Sequence, residues 1–222
     1  MRQIMTLAGG LRLAAVIVVT VGLGGCLDMI YGWRYDQTKS GELKGTLRIQ
    51  WLAQDKFLYE PDPTDPLIFK RADGTVIEPA AMYTDGGSIP QALRAIKAYS
   101  PWGYAPAFLL HDWLFAMKQC RYPGYEKLTL EDAANVMAEA MKTLMEKPNF
   151  GGVNKLVHYS MYEGVLTRTA RDYWDNGPCD APGATMKRLP TPATTRSLAT
   201  KKIESGTSAE EAPYPTFTIK IP

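Results

Sequence analysis

Leu47-Arg48-Ile49-Gln50-Trp51 places an apolar residue at every second position. Successive side chains of an extended strand point to opposite faces, so this stretch reads as a strand with one buried face. Working outward, Phe57-Leu58-Tyr59 and Leu67-Ile68-Phe69 are further short apolar runs. Glu60-Pro61-Asp62-Pro63-Thr64-Asp65-Pro66 separates them, and its prolines cannot donate to a strand ladder, so it is a loop. Asp73-Gly74 is a hairpin turn signal between Ile68-Phe69 and Val76-Ile77. Residues 43–84 therefore read as a small antiparallel sheet, with Trp33, Tyr35 and Trp51 as its packing aromatics.

From about Tyr104 the period changes to that of a helix. Pro106 suits a first helical turn, and the helix it opens runs to about Gln119. Thr129-Leu130-Glu131-Asp132 has the form of a capping box, and Ala133, Val136, Met137, Ala140, Met141 and Leu144 follow it at helical spacing. Pro148 and Gly151-Gly152 break the chain. A third helix is expected from about Val153 to Trp174; it is apolar on more than one side, which predicts a central position, with Ser160 and Gly164 allowing close approach. The fold class is α+β, a small antiparallel sheet followed by a three-helix bundle. The expected organisation is a tether over 26–42, a single domain over 43–180 and a disordered tail over 181–222, the last rich in Pro, Thr, Ser, Lys and Ala. Within that tail, Tyr214-Pro215-Thr216-Phe217-Thr218-Ile219 has strand character.

Arg2 and Arg12 give the chain a positive start, and Leu13 to Gly22 is an apolar run too short to span a bilayer as a mature helix. Leu23-Gly24-Gly25-Cys26 follows it and resembles the lipobox of bacterial lipoproteins. The resemblance implies that 1–25 is a signal peptide and that Cys26 becomes the acylated first residue, held in a membrane of the bacterial envelope facing the periplasm. Leu27 in the second position implies the outer membrane more than the inner. Stable anchoring needs more than one acyl chain, which the lipoprotein modification supplies. The partner implied is thus a membrane; no protein partner is identified.

Hydrophobic residues make up 45% of the chain, enough for a core. A net charge of +2, with no basic stripe interleaved with aromatics, excludes nucleic acid as the expected partner. With Cys26 acylated, Cys120 and Cys179 remain in an oxidising compartment and are expected to form a disulfide. Each follows a predicted helix end, and the first and third helices of an up-down-up bundle finish on the same side. Two histidines, His111 and His158, leave too few ligands for a Cys/His zinc site. His158, beside Tyr159 and Tyr162, reads as a core or surface residue.

Two segments carry chemistry. Thr84-Asp85-Gly86-Gly87-Ser88-Ile89-Pro90 is a glycine-paired turn with a carboxylate at Asp85 and a hydroxyl at Ser88. It serves either as a capped strand-to-helix turn or as a ligand loop. His111-Asp112 sits inside the apolar stretch Ala107 to Phe115, where two ionisable groups are costly without partners. Adjacent helical residues project about 100° apart, so the two can line one cleft without facing each other.

In this order the two motifs resemble a small family of bacterial and phage proteins, domain of unknown function 1353, whose pattern is a strand section, a TDGGSIP-type turn and an HDxLY-type helix. Phe115 stands where that family usually has Tyr, and Ala134-Asn135 where members often carry Ala-Asp; the helical pattern puts Asn135 opposite the apolar stripe. A looser likeness is to the calcium-dependent secreted phospholipases, which pair a glycine-rich loop with a His-Asp helix. That likeness implies His111 as general base, and calcium held by Asp112 with the backbone of Gly86 and Gly87. The cysteine framework of those enzymes is missing here.

Two functions follow. One is a non-enzymatic envelope lipoprotein in which Asp85, Ser88, His111 and Asp112 form a buried network locking turn to helix. The other is a metal-assisted hydrolase with His111 as base, Asp112 as metal ligand or orienter, and Asp85 and Ser88 in support. Both place the four residues together, with Tyr99 to Tyr104 as the lip. An open cleft at His111 fits the hydrolase, a sealed one the lock.

Overall fold

The computed structural model describes residues 29–86, 101–148, 150–182 and 215–221. Cys26, Gly87, Ser88, Tyr99 and the tail from 183 to 214 lie outside the described residues. Among the described residues no helix is long and apolar enough to cross a membrane.

The fold is a mixed one, an antiparallel sheet packed on α-helices. Helix α1 covers 29–37, where a tether was expected, and carries Trp33 and Tyr35 on a helix and not on the sheet. Strand β1 (Glu42–Ala53) is the long central strand. It pairs antiparallel with β2 (Lys56–Pro61) through Ile49↔Tyr59 and with β3 (Ile68–Lys70) through Leu43↔Phe69. Strand β4 (Val76–Ile77) closes the predicted hairpin on β3, and β5 (Met82–Thr84) pairs with β2.

β1 also pairs with β6 (Thr216–Ile221), through Ile49↔Phe217 and Leu47↔Ile219. The end of the expected disordered tail is therefore the sixth strand of the sheet. Gly45 marks the place where β1 passes loop 65–67; it has φ +107°, and a Cβ there would overlap the Pro66 carbonyl.

A 3-10 turn (Pro101–Tyr104) leads into α2 (Ala105–Cys120), with Pro106 in the first turn as expected. Arg121 closes α2 in the left-handed conformation, its N–H bonded to the Met117 carbonyl. A second 3-10 turn (Tyr125–Lys127) precedes α3 (Leu130–Met145). The capping box is present: Thr129 Oγ1 accepts from Asp132 N at 3.1 Å, and Thr129 N donates to Asp132 Oδ2 at 2.9 Å.

The expected third helix is two helices, α4 (Lys155–Gly164) and α5 (Arg168–Asn176), because Thr167 caps a new start by accepting from Ala170 N. Nor is it central. That place belongs to α2 and α3, which are buried nearly all round, whereas Lys155, Leu156 and Glu163 of α4 are exposed. Gly164 faces open space, so it serves no close approach. The described residues thus hold five α-helices, not a three-helix bundle. The core lies between the sheet, through Leu47, Ile49, Tyr59, Phe69 and Met82, and the inner faces of α2 and α3.

Candidate functional site

The end of β5 and the middle of α2 build the site. β5 alternates Met82 inward, Tyr83 outward and Thr84 inward, so a hydroxyl is aimed at the core. Along α2 every residue from Ala105 to Phe115 is buried except Asp112, which keeps partial exposure. Thr84 Oγ1 donates to Asp112 Oδ2 at 2.5 Å and accepts from Gly86 N at 3.0 Å. This relay joins the turn to the helix. Gly86 has φ +76°, with the nearest side chain, Phe57, 3.5 Å from where a Cβ would stand. Glycine is needed there for the backbone conformation and not for space.

His111 turns the other way. Its Nδ1 lies 3.1 Å from the Ala133 carbonyl of α3. A carbonyl only accepts, so Nδ1 carries the hydrogen and, in the neutral ring, Nε2 carries the lone pair. Ala133, and not Asp112, therefore orients the ring. His111 is 8% exposed, and burial pushes its pKa down to about 4. Burial, followed by the charge of Asp85, pushes Asp112 up to about 8, against a smaller lowering by the Thr84 hydroxyl. Burial thus favours the uncharged form of both groups.

Asp85 acts electrostatically on His111, on Asp112 and on Tyr173 of α5, so these four groups share one neighbourhood. Thr84, Asp85, His111 and Asp112 thus converge; Ser88 and Gly87 lie outside the described residues. Thr84 supplies a hydroxyl that the sequence reading did not single out. Strand alternation alone signals it, because an inward polar residue at a strand end demands a partner.

Of the expected lip, Tyr99 and Ser100 lie outside the described residues; Tyr104 packs on Phe150, with rings 5.8 Å apart. α5 borders the site as well: Phe115 lies 4.9 Å from His111, and meets Trp174 edge-on at 4.8 Å and Tyr173 at 6.0 Å. The Cys120–Cys179 disulfide forms as expected and ties the chain after α5 to the end of α2. Among the described residues, Thr84 and Gly86 line a narrow apolar cleft with Ile49, Phe57, Ala105, Phe108 and Leu109.

Asn135 lies apart from this site. It faces α1, where Arg34 Nη2 donates to its Oδ1 at 2.8 Å while the guanidinium covers the Tyr162 ring at 3.6 Å. His158 is a core residue, its Nε2 donating to the Ala138 carbonyl at 3.0 Å.

The family model described as "Protein of unknown function (DUF1353)" matches residues 64–165. No curated protein and no solved structure matches the chain. The DUF1353 region runs from before β3 to the end of α4 and holds Thr84, Asp85, His111, Asp112 and Asn135. Phe57, Tyr173 and Trp174, which surround the site, and Arg34, which holds Asn135, come from outside it.

Proposed function

We propose that this chain is an envelope lipoprotein, anchored through Cys26, whose Thr84–Asp85–His111–Asp112 cluster locks the sheet onto the helices and does not turn over a substrate. One observation carries the second part: His111 is buried, 8% exposed, with its Nδ1–H held by the α3 backbone. The lock has two halves. Thr84 ties the strand exit to α2 through Asp112, and His111 ties α2 to α3. The anchor is supported by the charged start, the apolar run and Leu23-Gly24-Gly25-Cys26.

One observation favours the hydrolase. The same hydrogen bond that holds His111 presents Nε2 as a base, while Asp112 is held as an acid. Groups whose pKa values are driven apart in this way are what acid–base chemistry uses. Calcium, if bound there, would polarise a substrate carbonyl. Asp112, once its proton is given up, and the backbone of Gly86 and Gly87 would hold it. Among the described residues no three His, Cys, Asp or Glu side chains are placed so that together they could hold a metal ion, so most of the oxygens calcium prefers would come from backbone and water.

His111→Ala separates the readings. The lock predicts a loss of about 1–3 kcal/mol in stability, with the wild type inactive on lipid and peptide esters with or without calcium. A variant of wild-type stability that loses a calcium-linked esterase activity would establish the hydrolase and discard the lock.

A further inference from the structure

We propose that α1 docks on the membrane that carries the anchor, with Trp33 at the centre of the contact; the inference rests on Cys26 being the acylated residue. Covalent geometry sets the distance. α1 is described from Met29, three residues beyond Cys26. A chain spans at most about 3.6 Å per residue, so the first turn of α1 begins within roughly 11 Å of Cys26, whatever path Leu27 and Asp28 take. Acylation holds Cys26 at the headgroup layer. The gap left is about one helix diameter, too small for a folded partner to slip between α1 and the lipid.

The side chains at that end suit lipid. Met29 is 68% exposed, Ile30 43% and Trp33 62%. At about 100° per residue all three fall within about 100° of arc, opposite buried Tyr35 and Thr38. Asp36 and Gln37 share the outer side but lie a turn farther from Cys26, so this surface passes from apolar to polar with distance from the anchor. Tryptophan is the side chain best suited to the headgroup level, because its ring is apolar in body and polar at one edge. α4 runs antiparallel alongside α1: Tyr159 packs on Tyr31 at 5.1 Å, near the anchor end, and Lys155 reaches Asp36 at 3.2 Å, at the far end.

The test uses the full mature chain, processed in cells and reconstituted in vesicles of phosphatidylethanolamine and phosphatidylglycerol, with and without bromine on the acyl chains. Trp33 is one of five tryptophans. The difference in emission between wild type and Trp33→Phe isolates it, and the substitution sits at an exposed position that folding does not depend on. The expected result is a difference emission at least twofold weaker in the brominated vesicles. Mass spectrometry of the amino terminus in the same sample reports Cys26. Acylated Cys26 with a difference emission indifferent to bromine overturns the docking and leaves the anchor standing. Unmodified Cys26, or cleavage elsewhere, overturns the anchor and the docking together.

Discussion

Asp112 and the two histidines titrate in opposite senses, and the signs predict a stability optimum. Asp112 has its folded pKa raised from the ordinary 3.8 to about 8. The folded state therefore binds its proton more tightly, and the stability this contributes is full below pH 4 and lost as pH rises through 8. His111 and His158 have theirs lowered from 6.5 to about 4 by burial. Their contribution is full above pH 6.5 and lost as pH falls through 4. Between pH 4 and 6.5 two histidines outweigh one aspartate, so acid destabilises. Between 6.5 and 8 only Asp112 still titrates among the three, and stability falls with rising pH by up to about 1.4 kcal/mol per unit. Asp112→Asn keeps a neutral acceptor for the Thr84 hydroxyl and should remove that alkaline slope. Melts of both proteins at pH 6.5, 7.5 and 8.5 measure it. A wild type as flat as the variant over this range would show that Asp112 is not held protonated.

At the scale of elements, α3 is the post to which the rest is tied. Lys142 Nζ donates to the Tyr35 and Thr38 carbonyls at 2.9 and 2.8 Å, at the open end of α1. Thr143 Oγ1 accepts from Gly41 N at 2.8 Å, and Lys147 Nζ donates to the Leu43 carbonyl at 3.0 Å, holding the chain as it enters β1. Arg71 beyond β3 grips Glu139 with two bonds of 2.7 and 2.8 Å. The last carbonyls of a helix have no partner within it, so a cation there is worth more than a surface charge. Lys142→Met should leave those carbonyls unpaired at about 1–3 kcal/mol. Hydrogen exchange across 29–37 should quicken about tenfold while α2 is unchanged. Equal exchange in variant and wild type would mean that α1 is held by Arg34 and its aromatic contacts alone.

For the whole molecule, the decisive closure is α5 against α2. Gln119 Nε2 donates to the Tyr173 carbonyl at 3.1 Å, and a Cβ on Gly177 would overlap that same backbone carbonyl, so glycine lets the chain pass. The disulfide closes a separation of 59 residues, worth about 4 kcal/mol in the chain-entropy model. Replacing Cys120 and Cys179 together by Ser should lower the melting temperature and free Tyr173 and Trp174 from Phe115, shifting tryptophan emission to the red. Unchanged emission with a lower melting temperature would mean that aromatic packing seats α5 without the covalent link.

Alternation in Leu47-Arg48-Ile49-Gln50-Trp51, the Asp73-Gly74 turn and the Thr129 capping box are local signals, and each was enough to place its element. The disulfide and the meeting of Asp85 with His111-Asp112 were also legible, because helix direction and a short connection constrain them. Three features were not. α1 was hidden because 29–37 is too short and mixed to show a period, and its helicity comes from packing Tyr35 and Arg34 on α3 and α4. The place of β6 in the sheet was hidden: Tyr214 to Ile219 has strand character, but a lone strand is marginal until β1 supplies its ladder. The roles of Thr84 and Tyr173 depend on which chemistry their neighbours present, and those neighbours are distant in sequence. Periodicity says which face of an element is buried; only the tertiary structure says against what.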